Sequence, residues 1–315
     1  MRTTRCLVLG VFASLFALLL VMPRQISSVD SRVVAKDASA THARQAPTPS
    51  RNLSSERNAT VTLLQPRTDV EYMREVERWI ASVERFGQDV VLLSENEVQR
   101  QVLSELTRRS TATVRVVSVE QEFAPCDYDS SIESVCRRTR ESDARSDGYK
   151  RMCRLWYSAV WKYLSEYNYV LRLDLDNTIV TGEWPENIHR FGTVKCVKRD
   201  SPDVTDGLSS FFGHEARSRW FQYRRERVYP YTNVMFINVQ WVLSNGDLQK
   251  TFEAVERTNC ICINRWGDLP LWGETLASLG YRPQIMEGWL YRHGTHRNKR
   301  IASNPASCRR SSWFL

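Results

Sequence analysis

The chain lacks several patterns that would each point to a class of function. No two of its eight cysteines stand in C-x-x-C spacing, which removes the common zinc and thiol-redox arrangements. The nearest approach, Cys260-Ile-Cys262, is C-x-C. No internal repeat recurs along the 315 residues, so repeat architectures are excluded. No short basic run is interleaved with aromatic residues, which argues against nucleic acid as a partner. The net charge of +8 is carried mostly by arginine. It suits either a solvated surface or attraction for anionic ligands such as diphosphates. Hydrophobic residues make up 42% of the chain and ten residues are tryptophan, enough for a bulky core with aromatic surface left for ligands.

Charge is absent from the run that starts at Cys6 and ends at Met22. That run is at the lower limit for a membrane-spanning helix. Arg2 and Arg5 precede it, which keeps residues 1–5 cytoplasmic and the body lumenal. A cleaved signal peptide is the competing reading, but Leu20-Val-Met-Pro-Arg24 offers no small-residue cleavage site. Residues 6–22 are therefore expected to be an uncleaved signal-anchor. Residues 23–58, rich in Ser, Ala, Thr, Arg and Pro, read as a flexible stem. Asn52-Leu-Ser54 and Asn58-Ala-Thr60 are candidate N-glycan acceptors there. The expected location is the Golgi membrane, single-pass type II, with the endoplasmic reticulum as the alternative. Seven cysteines lie beyond the anchor, so in an oxidising lumen at least one is left over after pairing. The pairing itself stays open; Cys126 and Cys136 are spaced to close a small loop.

The folded part is expected to span residues 59–300, followed by a polar tail at 301–315. Residues 60–64 read as a strand, 70–86 as a helix with apolar residues at Val70, Met73, Val76, Ile80 and Val83. Residues 89–93 read as a second strand, 95–109 as a helix and 113–119 as a third strand. This order implies a parallel sheet with helices on its faces. Residues 124–148 read as a surface loop and 149–164 as one strong helix. Strands are expected at 169–173, 193–197 and 232–239, and helices at 247–257 and 269–279.

The most informative stretch is Tyr169-Val-Leu-Arg-Leu-Asp-Leu-Asp-Asn177. Its strand ends in Asp174 and Asp176, and residues i and i+2 of an extended chain project to one side. Two such carboxylates can hold a hard divalent cation, and the cation a diphosphate. This D-x-D pattern belongs to metal-dependent glycosyltransferases that use nucleotide sugars; its bland alternative is a polar turn at Asp176-Asn177.

Further segments narrow the reading. Tyr149-Lys-Arg-Met-Cys-Arg-Leu-Trp-Tyr-Ser158, the strand from Tyr169, and Asn264-Arg-Trp-Gly-Asp-Leu-Pro270 together resemble the fungal-type α-1,2-mannosyltransferase family. The opening at residues 59–79 is similar too, and the resemblance covers roughly residues 59–295. It implies a GT-A nucleotide-diphospho-sugar transferase fold, a Rossmann-like, mostly parallel sheet with flanking helices. It also implies a GDP-mannose donor, Mn²⁺, a glycan or glycoprotein acceptor, and retention at the anomeric carbon. The acidic-x-Asp motif falls on Asp174 and Asp176, with Asp174 in place of the usual glutamate. The family's metal-binding histidine falls on His293.

Other candidates accompany these. Asp268 is either a helix N-cap or the group that orients the acceptor sugar. Arg265 would pair with phosphate or with Asp268. Trp266 and Trp272 would stack on a sugar or pack in the core. Arg67 follows the first strand, where the base and ribose are expected. Tyr149, Lys150 and Arg154 lie on the approach to the metal. The family's glutamate, proposed as nucleophile, falls on Met235, and no carboxylate occurs between Glu226 and Asp247. Asn233 and Asn238 on that strand are candidates for donor or acceptor contact. The rivals to a mannosyltransferase are a transferase of a UDP-sugar (galactose or glucose) and a catalytically inactive, glycan-binding protein of the same fold.

Overall fold

The computed structural model describes residues 57–96, 103–104, 110, 113–125, 135–140, 144–198, 205–213, 228–294 and 299–309. The expected tail at 1–5, the anchor, the stem as far as residue 56 and most of the helix at 95–109 lie outside these. Among the described residues no helix is long and apolar enough to cross a membrane.

The strands are β1 (Asn58–Leu64), β2 (Asp89–Ser94), β3 (Val114–Ser118), β4 (Tyr169–Leu173), β5 (Asn177–Thr181), β6 (Phe191–Thr193), β7 (Cys196–Lys198), β8 (Val228–Pro230), β9 (Val234–Asn238), β10 (Gln284–Ile285), β11 (Leu290–His293) and β12 (Lys299–Ala302). The helices are α1 (Val70–Val83), α2 (Asp147–Tyr157), α3 (Leu208–Phe211), α4 (Val239–Ser244), α5 (Gly246–Thr258), α6 (Cys260–Ile263), α7 (Asp268–Ser278) and α8 (Pro305–Arg309). Seven strands form the main sheet in the order β10-β6-β9-β4-β1-β2-β3. β1, β2, β3 and β4 run parallel, and only β9 runs against its neighbours β4 and β6. A smaller antiparallel sheet, β12-β11-β5, stands beside it.

Burial on both faces explains why β2 reads as a near-continuous apolar run and why Thr60 and Thr62 of β1 are buried as well. Alternate residues feed two cores. Val61, Val91, Val170, Met235 and Ile237 belong to one, with Trp156, Trp161 and Trp272. Val90, Leu92, Leu171, Leu173 and Phe236 belong to the other, with Tyr72, Trp79 and Ile80 of α1. Helix α1 starts where Asp69 Oδ1 accepts the Tyr72 N–H at 3.0 Å.

Several expectations change. Asn58 is not the last stem residue but the first of β1, paired in register with Tyr169, and its side-chain oxygen is buried. A glycan there would have to leave from a half-buried strand. The helix expected at 149–164 breaks at Ser158, whose N–H and hydroxyl both reach the Arg154 carbonyl, and continues as a 3₁₀ turn at Ala159–Leu164. The strand expected at 193–197 is two short ones, β6 and β7. Of the supposed tail, residues 301–302 belong to β12 and 305–309 to α8, and 310–315 lie outside the described residues.

The cysteines explain that last difference. Cys308 of α8 is bonded to Cys196 of β7, and Cys136 to Cys260 of α6. Cys262 is disulfide-bonded as well, and among the described residues Cys153, buried, is the free thiol. Cys136 thus does not close a small loop with Cys126. Helix α7 is set close to β8 by Gly273, where an added Cβ would stand 1.9 Å from a Tyr229 ring carbon.

The Cys196–Cys308 bond closes 112 residues of chain. Restricting an unfolded loop of that length stabilises a fold by about 4–5 kcal/mol in the chain-entropy view. Replacing both cysteines by serine is expected to lower unfolding stability by a large part of that amount, read from the urea midpoint. An unchanged midpoint would mean that α8 is not tied to the body by this bond.

Candidate active site

Strand β4 ends at Leu173, and the next four residues turn, with Asn177 N–H donating to the Asp174 carbonyl at 2.9 Å. Asp174 and Asp176 therefore sit on a turn, not on an extended chain, and their carboxylates have different partners. Asp174 Oδ1 accepts from Arg172 Nε at 3.0 Å, and its Oδ2 from Asn233 Nδ2 at 2.9 Å. Asp176 Oδ2 faces His293 Nε2 at 3.3 Å. Asn233 touches both sides, with Nδ2 also 3.3 Å from His293 Nε2.

The topology explains this convergence. β9 is antiparallel to β4, so its start, at Asn233 and Val234, lies beside the end of β4. β11 is antiparallel to β5 and pairs His293 with Asn177. Three elements distant in sequence thus deliver Asp174, Asp176, Asn233 and His293 to one corner. Tyr231 Oη stands 3.0 Å from His293 Nδ1. With Nδ1–H donated to Tyr231, Nε2 keeps its lone pair toward Asp176, the tautomer a metal requires. Burial pushes the Tyr231 phenol up to about 12, so it stays neutral as that partner.

Carboxylate oxygen and imidazole nitrogen suit Mn²⁺. Two ligands at about 2.1 Å and right angles on one ion are about 3 Å apart, close to the spacing of Asp176 Oδ2 and His293 Nε2. Asp174 differs from expectation. Both its oxygens are already engaged, and among the described residues no three His, Cys, Asp or Glu side chains are assembled for a metal. The fitting pair is Asp176 and His293, with Asp174 held beside them.

What holds Asp174 was not singled out in the sequence. Arg172 is buried, at 3% exposure, and bridges Asp174 to Asp268 through a second bond from Nη1 to Oδ2. Its guanidinium lies 4.3 Å from the centre of the Trp156 ring. Burial pushes the Asp174 carboxyl up, and the Arg172 charge opposes it. The only hint in sequence was a charged residue inside an otherwise apolar strand.

Asp268 is not an N-cap. Gly267 holds that position without a side-chain bond, and Asp268 opens α7 with its carboxylate turned to Arg172. Arg265 has a left-handed backbone, φ 85°, and its Nε is buried without a partner. Such strain costs of order 1–2 kcal/mol and gathers at functional positions. Its guanidinium stacks 5.4 Å from the Tyr149 ring centre. Cys153 and Asp268 adjoin Tyr149, and the nearby thiol and burial push its phenol up. Lys150 is buried on the same helix.

Other candidates fall elsewhere. Asn238 lies at the opposite end of β9 from Asn233; it caps α4 through Trp241 N–H at 2.8 Å and donates to the His189 carbonyl. Arg154 is held by Glu256 of α5 at 2.7 Å. Arg67 pairs with Asp69 at 2.9 Å and stacks on Tyr72. Trp266 and Trp272 are fully buried, donating to the carbonyls of Asp206 and Trp156, so neither presents a face to a sugar. Met235 is fully buried opposite Arg172 in the β4–β9 register.

Breaking the Arg172 bridge is expected to be costly. Arg172→Met leaves Asp174 and Asp268 without their cation, and losing one partner of a buried pair costs about 3–5 kcal/mol. Urea unfolding of Arg172→Met, alone and with Asp268→Asn, measures this. The double variant should recover part of the loss; no recovery would mean that the two residues do not act as a pair.

No family model and no curated protein matches this sequence. Solved structures do. The mannosyltransferase Ktr4p from S. cerevisiae aligns at 15% identity over 82% of this chain and 75% of that one, with TM-score 0.58. The same protein in complex with GDP gives 15%, 82%, 75% and 0.56. Core-mannan synthase A from Aspergillus fumigatus, in its Mn/GDP form, aligns at 14% identity over 78% of this chain and 76% of that one, with TM-score 0.56. At this identity the likeness is one of fold: the chain has the GT-A glycosyltransferase fold that these fungal mannosyltransferases share.

Proposed function

We propose that the protein is a metal-dependent glycosyltransferase that moves mannose from GDP-mannose onto a glycan or glycoprotein acceptor. The observation that carries this reading is the facing pair Asp176 and His293, set at the carboxyl end of β4 with Asn233 between their neighbours. Open α/β sheets bind ligands at the carboxyl ends of their strands where the strand order reverses. The sheet order places β4 and β1 at that reversal. Similar folds with GDP, and with Mn and GDP, support the choice of donor and ion.

Asp176 and His293 would hold Mn²⁺, with Tyr231 fixing the imidazole. The chemistry Mn²⁺ supplies when bound is neutralisation of charge on the departing diphosphate. Arg265, strained and with a buried unpaired N–H, is the candidate phosphate contact. Asp268, held by Arg172, is the candidate acceptor-orienting group. Strand β9 offers no carboxylate nucleophile, since Met235 fills that position in the core. Retention would then rest on attack from the face the diphosphate leaves. The protein would work in the Golgi membrane, anchored through residues 6–22 with the sheet domain in the lumen.

Met235 also favours a second reading, an inactive glycan-binding protein of this fold. Turnover separates the two. The full chain in detergent is incubated with a panel of nucleotide sugars, with Mn²⁺ or with chelator. Hydrolysis of GDP-mannose that needs Mn²⁺ and falls about 100-fold or more in Asp176→Asn is expected. Turnover of a UDP-sugar instead would move the donor while keeping the enzyme. No turnover of any donor, with or without glycan acceptors, would leave the inactive reading.

A further inference from the structure

We propose that the Cys136–Cys260 disulfide and the Arg137–Asp206 pair are positioning groups that hold Arg265 in its left-handed turn and so aim its guanidinium at the donor's diphosphate. The inference rests on the nucleotide-sugar reading above and adds what sets the phosphate contact.

Arg265 follows the short helix α6, where a left-handed residue often ends a helix and glycine is preferred. Three successive amides, those of Asn264, Arg265 and Trp266, point to one acceptor, the Cys260 carbonyl, at 2.9, 3.2 and 3.4 Å. The two residues flanking Arg265 are then fixed from outside the turn. Asn264, fully buried, donates from Nδ2 to the Arg137 carbonyl at 2.7 Å. Trp266, fully buried, donates from Nε1 to the Asp206 carbonyl at 2.8 Å, and its ring packs 5.6 Å from that of Phe211.

Those carbonyls belong to two segments, residues 135–140 and 205–213, and the segments are tied to each other. Asp206 Oδ2 accepts the Arg137 N–H at 2.9 Å, and Oδ1 accepts from the Arg137 guanidinium at 3.3 Å. At Gly207, φ 74°, an added Cβ would stand 2.0 Å from the Val135 carbonyl oxygen, so the second segment lies directly against the first. The disulfide closes the ring, because Cys136 belongs to the first segment and Cys260 supplies the acceptor of the three amides.

Inside this ring Arg265 keeps its Nε buried without a partner. Strain that persists only because neighbours enforce it, at a side chain with an unmatched donor, is the pattern of a ligand-binding position. Three residues further on, Asp268 meets Arg172, which meets Asp174, so the turn is continuous with the strand end. Relaxation to an ordinary helical φ would rotate the backbone at Arg265 by about 150° and carry the guanidinium away. Both sulfurs are buried, so an added thiol does not reach them in the folded protein and substitution is the usable perturbation.

Calorimetry on the full chain in detergent, with Mn²⁺ present, measures GDP binding. The parent is compared with Arg265→Met, with Cys136→Ser plus Cys260→Ser, and with all three changes together. Cys196→Ser plus Cys308→Ser is the control. Its loop is nearly as long, 112 residues against 124, so both cysteine pairs should lower the urea midpoint alike. Arg265→Met should weaken GDP binding about 10- to 100-fold, the range for one hydrogen bond between charged groups. Loss of Cys136 and Cys260 should weaken it by a similar factor, and the triple variant no further, because the disulfide acts through Arg265. The control should bind GDP as the parent does, and the Mn²⁺ resonance signal should match the parent throughout. Should the Cys136 and Cys260 variant not fold, Asp206→Ala unties the two segments at a partly exposed position. It should weaken GDP about fivefold, as for one neutral hydrogen bond.

Parent-like GDP binding without the Cys136–Cys260 bond, or in Asp206→Ala, overturns this inference and leaves the donor reading standing. So does an equal loss in the control, or a further loss in the triple variant. Unchanged binding in Arg265→Met overturns the phosphate contact and this inference together. Failure of the parent to bind GDP overturns the nucleotide-sugar reading with both.

Discussion

The corner depends on one buried cation. Arg172 sits in a strand whose other side chains feed two apolar cores, and its charge is stable there only because Asp174 and Asp268 meet it. Each contact has a structural consequence. The bond to Asp174 sets the carboxylate that Asn233 then grips, and Asn233 reaches on to His293. The bond to Asp268 ties the first residue of α7 to β4, and Trp156 of α2 stacks on the same guanidinium. One side chain therefore aligns a strand end and two helices. A charged group in low dielectric tolerates little displacement, because its Coulomb energy rises steeply as partners withdraw. Apolar packing of comparable size would not enforce the same positions.

The sheet was legible because its signal is local. Strands β1, β2, β3 and β4 are short segments rich in β-branched and apolar residues, and α1 carries its apolar period over four turns. The errors came where local pattern was overridden. A helix through residue 164 was a sound inference from spacing, but Ser158 claims the Arg154 carbonyl and the chain tightens. A polar C-terminus reads as a tail unless the Cys196–Cys308 bond is known, and pairing cannot be read from spacing alone. Asn58 carries a glycan-acceptor pattern, yet three residues of context cannot reveal a strand partner 111 positions away.

The site was legible in part for the same reason. Asp174, Asp176, Asn233 and His293 converge, and each was reached through a motif. Asn238 lies at the far end of β9 from Asn233, and nothing in the sequence says which end of an antiparallel strand faces Asp176 and His293; only the register with β4 does. Asp268 looked like a cap because acidic residues before a helix usually are caps. Its buried partner lies 96 positions earlier in the chain. Arg172 was missed because a lone arginine in a strand is usually a surface residue, and its burial follows from pairings at two distant places.

Met235 fits this charge arrangement better than a loss of function would suggest. Beside the corner formed by Asp176 and His293, Asp174 and Asp268 share the buried guanidinium of Arg172. Met235 lies across the strand pair from Arg172. A glutamate there would compete with Asp174 and Asp268 for a single guanidinium and leave an uncompensated charge in a fully buried position. Methionine avoids that penalty. Methionine also offers no carboxylate for a double displacement. With Met235 in place, a transferase on this scaffold has to stabilise the departing diphosphate well enough that the acceptor arrives while the donor bond is breaking. Under the proposed function the burden would shift from a nucleophile beneath the sugar to the candidate leaving-group contacts: Asp176, His293 and the strained Arg265.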